Sequence, residues 1–167
     1  MFIPASAING NNKVVKIRQT SDDIVKYLLI AEKQSRAIYP ILRAYFDGDD
    51  KIKVLQKIWT YAKQNIIYVR EPAEWQTVRT VARIIKDAKH TGGDCKHMAT
   101  FCVASARACG INAFFRLVSF TASNPAPSHV YAVAVVNKKF VYLDAVINNF
   151  DEQPPNIKSF EDVKPLI

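Results

Sequence analysis

Cys95 follows Gly92, Gly93 and Asp94 and opens a stretch, residues 95–109, whose alanines and other small residues predict a helix. A cysteine in the first turn of a helix sits among backbone N–H groups that lack helical partners, at the positive end of the helix dipole. Both favour the thiolate, the form of cysteine that attacks a carbonyl carbon. The same N–H groups can hold the oxyanion that such an attack creates. The two glycines allow a sharp turn and let a substrate approach the backbone. Cys102 and Cys109 fall inside the apolar part of the same helix and read as inert small hydrophobes.

A nucleophilic thiol needs a base, and the base needs a group that orients it. His129 opens a Val- and Tyr-rich stretch, 129–136, and Asp144 closes the next one, 139–144. If Asn137-Lys138 is a two-residue hairpin turn, Val136 faces Lys139, Tyr131 faces Asp144, and His129 faces Val146. Side chains two apart share a face, so His129 and Asp144 become diagonal neighbours, ~7–8 Å apart by Cα. A three-residue turn would put them on opposite faces. Cys95 then attacks, His129 takes the thiol proton and later protonates the leaving group, and Asp144 orients the imidazole. The backbone of Cys95 supplies one oxyanion donor. Gln76 is the preferred second donor and Trp75 the alternative, since either side chain offers an N–H.

These residues need elements to carry them. Val14, Val15 and Ile17 suggest an edge strand, and Thr20 with Asp23 resembles a capping box. Ile24, Leu28, Ala31, Ser35 and Ile38 recur at helical spacing up to Pro40, which ends or kinks that helix. Asp47-Gly48-Asp49-Asp50 is a turn that places acid at the start of a helix over 51–65, with Ile52, Leu55, Ile58, Trp59 and Ala62 buried. Residues 66–69 read as a short extended run, and 77–89 as a third helix through Val81, Ile84, Ile85 and Ala88. From 113 the pattern changes to period 2, giving strands over 113–120, 129–136 and 139–144. The tail from 148 reads as a return strand or flap. Helices first and strands later predict an α+β domain, with a helical N-terminal half packed on an antiparallel sheet. We expect a single domain over 1–167, with a core at about 55–146 and an N-terminal helical extension over 1–54.

The remaining composition narrows the function classes. Three cysteines spaced by seven on one helix lie ~10.5 Å apart, beyond the ~7 Å reach of a disulfide. No apolar run approaches the ~20 residues of a membrane span, and the N-terminus does not read as a signal peptide, so a cytoplasmic protein is expected. The net charge of +8 is concentrated in residues 1–89, with 16 Lys/Arg against 9 Asp/Glu. Those cations are dispersed and accompany no DNA- or RNA-binding motif, so they read as solvated helix surface rather than a nucleic-acid site. His90 and His97 flank Cys95, but i and i+2 on a helix diverge and no CxxC pair exists, so no metal is expected and both histidines read as surface or rim. No phosphate loop or EF-hand acid cluster appears, and no cofactor is expected.

Gly93-Asp94-Cys95-Lys96-His97-Met98-Ala99, followed by Ala108-Cys109-Gly110-Ile111-Asn112-Ala113-Phe114-Phe115-Arg116, resembles the transglutaminase-like superfamily. Ser128-His129-Val130-Tyr131 and Val141-Tyr142-Leu143-Asp144-Ala145 resemble its histidine and aspartate strands. The resemblance covers about 55–146. Tyr131 stands where tryptophan is commoner, Asn112 replaces a usual proline, and no proline follows Asp144. The resemblance implies a papain-like core, Cys-His-Asp chemistry on amides of a protein or peptide substrate, and a thioester acyl-enzyme. Water as acceptor makes a peptidase, and a lysine amine makes a cross-linking acyltransferase; hydrolysis is favoured. The compact format and the 68–79 stretch resemble bacterial and phage-encoded members. A non-catalytic, virion-associated module that keeps the fold is the rival from another class.

Overall fold

A helix forms at 51–65 because its start is capped and one stripe of it is apolar. The computed structural model describes residues 3, 14–17, 21–72, 74, 76–122 and 126–166. In it α3 (Lys51–Asn65) is capped by Asp50, whose carboxylate accepts from the Ile52 N–H at 3.0 Å and the Lys53 N–H at 3.2 Å. Val54, Leu55, Ile58, Tyr61 and Ala62 form the buried stripe. Ile52, expected inside, is 41% exposed. It shares a row with half-buried Trp59 at the margin of that stripe.

Before it run α1 (Ser21–Ser35), a 3-10 turn (Arg36–Ile38) and α2 (Tyr39–Phe46). Pro40 therefore does not stop a helix. It stands in the first turn of α2, where its missing N–H removes no helical bond. The expected capping role of Thr20 lies outside the described residues.

The third predicted helix is half right. Gln76–Arg79 is a strand, β2, paired antiparallel with β1 (Val14–Ile17), and only Val81–Asp87 forms the helix, α4. The partner strand lies some sixty residues earlier, so no local pattern announces it. Arg79 reinforces the extended form by reaching Glu71 (3.2 Å) and the Gly92 carbonyl (2.6 Å).

Cys95–Ala108 forms α5, buried on nearly every side. A helix apolar all round belongs inside a core, and α5 packs between the other helices and the sheet. Its cysteines are free thiols. Burial drives the Cys102 thiol far above its ordinary range and pushes Cys109 up to about 11.

The main sheet has the order β5-β4-β3-β6, all neighbours antiparallel: β3 (Asn112–Ser119), β4 (His129–Val136), β5 (Lys139–Leu143) and β6 (Ser159–Val163). The tail is thus a return strand. Ala113, Phe115, Leu117, Val130, Ala132, Ala134, Val141 and Leu143 bury one sheet face in the core shared with the helices. No helix among the described residues is long and apolar enough to cross a membrane.

Asn137 and Lys138 make the two-residue turn, with φ of 51° and 64°, the left-handed pair of a type I′ hairpin. Val136 pairs with Lys139 as expected. Lys138 holds a conformation that glycine adopts without penalty. Lys138→Gly should stabilise the fold by about 0.5–1 kcal/mol, raising the melting temperature by roughly 1–3 °C. A lower melting temperature in calorimetry would contradict this account of the turn.

Candidate active site

The backbone ahead of Cys95 is fixed by a neighbouring extended segment. Residues 67–69 run parallel to 92–93: the Gly93 N–H donates to the Ile67 carbonyl at 2.9 Å, and the Val69 N–H to the Gly93 carbonyl at 3.0 Å. Gly92 has φ of +66°, and a Cβ there would lie 2.2 Å from the Ile67 carbonyl oxygen. Only glycine fits that turn, which delivers the chain to the helix start.

Asp94 caps α5, and its carboxylate accepts from the Lys96 N–H at 3.1 Å. His97 completes a capping box, a place usually held by Glu or Gln. Its Nδ1 lies 3.1 Å from the Asp94 N–H and 3.0 Å from Asp94 Oδ1, and its Nε2 lies 3.2 Å from Thr77 Oγ1. His97 is therefore buried rather than a rim residue, because one ring nitrogen serves the helix start and the other meets Thr77 of β2. His90 is exposed. Burial raises the Asp94 carboxyl, but hydrogen bonds and charge from His97 and Lys96 outweigh it and hold it down at about 2.

Beneath this cap lies a network of ionic side chains. Lys96 Nζ donates to Asp94 and to Gln76 Oε1 and lies 3.6 Å from Glu71. Arg79 bonds Glu71 and lies 3.3 Å from Asp87. Glu71, Asp94 and His97 come within 4.8 Å of one another, as metal ligands do. Here the Lys96 ammonium and Arg79 guanidinium already face the two carboxylates.

His129 and Asp144 meet as the hairpin register requires, with His129 Nε2 2.7 Å from Asp144 Oδ2. Asp144 is 1% exposed, and its other oxygen accepts from the Val146 N–H at 3.0 Å. The His129 ring also stacks on Phe120 and abuts Tyr131. With Nε2 held by Asp144, the Cys95 thiol is the other group close enough to act electrostatically on the ring. Burial pulls the imidazole down, but the hydrogen bonds and negative charges of Asp144 and Cys95 together lift it to about 10. The ring is therefore held in its charged form at neutral pH.

Two supporting residues carried no chemical signal in the sequence. Trp59 Nε1 donates to the Asp144 carbonyl at 2.9 Å. One turn on, Lys63 Nζ donates to the Ile147 carbonyl at 2.6 Å. Both read as ordinary helix residues because their partners lie more than eighty positions away. Together they tie α3 to the segment that presents Asp144.

A cavity of about 620 Å³ opens over Cys95 and His129. Tyr68 and Gln76 line one side of it; Leu117, Phe120, Val146 and Ile147 give an apolar wall. Gln76 Nε2 donates to the Pro72 carbonyl at 2.7 Å and approaches the Glu71 carbonyl at 3.5 Å. Trp75, the alternative donor, lies outside the described residues. Cys95 is half-buried at the cavity, and no described group bonds its N–H. Cys95 and His129 therefore line one space.

Among solved structures, a candidate cysteine protease from Cytophaga hutchinsonii is similar to this chain over 98% of its length, with 16% identity and a TM-score of 0.55. The chain spans about half, 49%, of that protein. A candidate protease from Parabacteroides distasonis is similar over 72% of this chain and 26% of its own length, with 13% identity and a TM-score of 0.47. At such identities the first likeness is one of fold. No curated protein matches the sequence. The family model of the transglutaminase-like superfamily matches residues 43–145, a span that runs from within α2 through α5 and β4 to the residue after Asp144. With more than half of its residues inside that match, the chain belongs to the transglutaminase-like superfamily.

Proposed function

We propose that the protein hydrolyses peptide or isopeptide amides of a protein or peptide substrate through a thioester on Cys95. The observation that carries this reading is the 2.7 Å contact of Asp144 with His129, which lines the same cavity as Cys95. Cys95 Sγ, as thiolate, adds to the amide carbonyl carbon, and the carbonyl π electrons move to oxygen. The Cys95 N–H donates to that oxygen at the positive end of α5. His129 gives its Nδ1 proton to the departing amine as the C–N bond breaks, leaving the acyl group on sulfur. Neutral His129 then takes a proton from water, whose oxygen attacks the thioester; the acid leaves and the thiolate and imidazolium re-form. Asp144 holds Nε2–H throughout and favours the charged ring. A lysine amine in place of water would give the cross-linked product from the same thioester.

A defined peptide pool incubated with the protein and with Cys95→Ala, then read by mass spectrometry, tests this. New carboxyl termini or deamidated glutamines made only by the unaltered protein support hydrolysis. Peptides joined through lysine with loss of ammonia point to acyl transfer. Identical pools would mean that the fold serves a non-catalytic interaction module.

A further inference from the structure

We propose that Tyr68 is a further catalytic residue, its phenolic O–H donating to the oxyanion formed when Cys95 attacks. The proposal rests on the cysteine-acylation reading and adds the donor that reading lacks. An oxyanion hole ordinarily needs two hydrogen bonds, and the Cys95 N–H supplies one.

Gln76 shares the cavity, yet its amide is engaged at both ends. Nε2 binds the Pro72 carbonyl and approaches that of Glu71, while Oε1 accepts from Lys96. Turning Nε2 toward a substrate would take one acceptor from the buried Lys96 ammonium, which keeps Asp94, and would unpair the Pro72 carbonyl, at about 1–3 kcal/mol for a group left unsatisfied.

Tyr68 carries no such obligation. Its backbone is registered to Gly93, two residues before the nucleophile, by the hydrogen bonds that flank it. Its side chain lines the same cavity as Cys95 and His129, and its hydroxyl makes no hydrogen bond with any described residue. It is 46% exposed, unusual for a tyrosine beside a packed core. Burial and the negative charges of Cys95, Asp94 and Asp144 raise its hydroxyl above the ordinary range. The phenol therefore stays protonated and remains a donor at alkaline pH. No proton needs to move: the O–H shares its hydrogen while the C=O electrons reside on oxygen, and releases the oxygen when the leaving group departs.

Two reagents separate this role from others. p-Nitrophenyl acetate acetylates the thiolate through a tetrahedral oxyanion, expelling p-nitrophenolate. Iodoacetamide alkylates the same sulfur by displacing iodide at carbon, with no carbonyl oxyanion. Tyr68→Phe keeps the ring and removes only the donor. It should slow acetylation of Cys95 by about 100-fold and leave alkylation within about twofold. Far-UV circular dichroism identifies any change of fold. Unchanged acetylation would overturn the proposal, and so would equal falls in both rates, which place Tyr68 on the sulfur. If the unaltered protein acetylates no faster than an ordinary free thiol, the enzymatic reading itself fails and takes the proposal with it. Only the two Tyr68→Phe outcomes overturn the proposal alone.

Discussion

His129→Ala should lower the rate of Cys95 acylation by about 10³-fold, and should reduce its alkylation by iodoacetamide at neutral pH to the rate of an ordinary thiol. The reason is the ion pair. In the folded protein the imidazole is raised to about 10 by Asp144 and Cys95 acting against burial, so at pH 7 the ring is charged and, in the proposed mechanism, steadies a thiolate beside it. Removing the ring leaves only the helix start and the Cys95 N–H to favour the negative sulfur. General acid–base catalysis by one positioned residue contributes about 10²–10⁴-fold, and loss of the proton for the leaving group adds to the loss of the ion pair. Intact-mass spectrometry reads the result cleanly. Cys102 and Cys109 are buried, so the unaltered folded protein should gain one rapid adduct. Equal labelling rates in the two proteins would separate His129 from the reactivity of Cys95 and end the enzymatic reading.

That the prediction can be written with residue numbers reflects how local the signals were. The acidic turn before α3, the small-residue run of α5 and the alternation along β4 and β5 are short-range patterns, and short-range patterns survive in sequence. The meeting of His129 with Asp144 is long-range in appearance only. It follows from a two-residue turn and the period of a strand, so register alone brought the pair together. The convergence of Cys95 on that pair is different, because no local rule fixes how α5 lies against β4. There the resemblance of the Gly-Asp-Cys, His and Leu-Asp stretches to one superfamily carried the expectation.

What was not legible depended on partners far along the chain. Most of β2 falls at the front of the 77–89 stretch, whose helical spacing runs through Val81, Ile84, Ile85 and Ala88, and its partner strand lies at 14–17. His97 reads as a rim residue because its spacing from Cys95 makes no ligand pair, and its capping-box role is hidden because that place is usually held by Glu or Gln. Trp59, Lys63 and Tyr68 showed nothing in their own neighbourhoods. Their roles arise only when α3 packs under the Asp144 segment and when residues 67–69 pair with 92–93. Residues that hold a site together from outside its motif are in general the ones a motif cannot reveal.

Asp144→Asn tests the electrostatic half of the mechanism, with an outcome set by hydrogen-bond geometry. The two carboxylate oxygens of Asp144 face two donors, the Val146 N–H and the His129 Nε2–H. An asparagine has one acceptor oxygen. Turned with that oxygen toward the Val146 N–H, its NH₂ group meets His129 Nε2, which accepts only once the ring gives up its Nε2 proton, inside a site that is 1% exposed. That mismatch should cost about 1–3 kcal/mol of stability, readable in urea unfolding. The pH dependence shifts as well. His129 has a folded value raised above the ordinary 6.5, so its contribution to stability is complete below about 6.5 and fades as pH rises through about 10. The reactive ion pair persists over the same range, and the alkaline limb of kcat/KM should lie well above the pH at which a free histidine titrates. In Asp144→Asn the charge that did most to hold the proton is gone, while burial still disfavours it. The alkaline limb should then move down by more than about one pH unit, and kcat/KM at pH 7 should fall by about 10²–10⁴-fold. An unmoved limb would show that Asp144 only braces the strand end. A limb that moves while the iodoacetamide rate at pH 6 holds steady would assign Asp144 to the retention of the proton on His129, and leave the generation of the thiolate to the helix start and the ring.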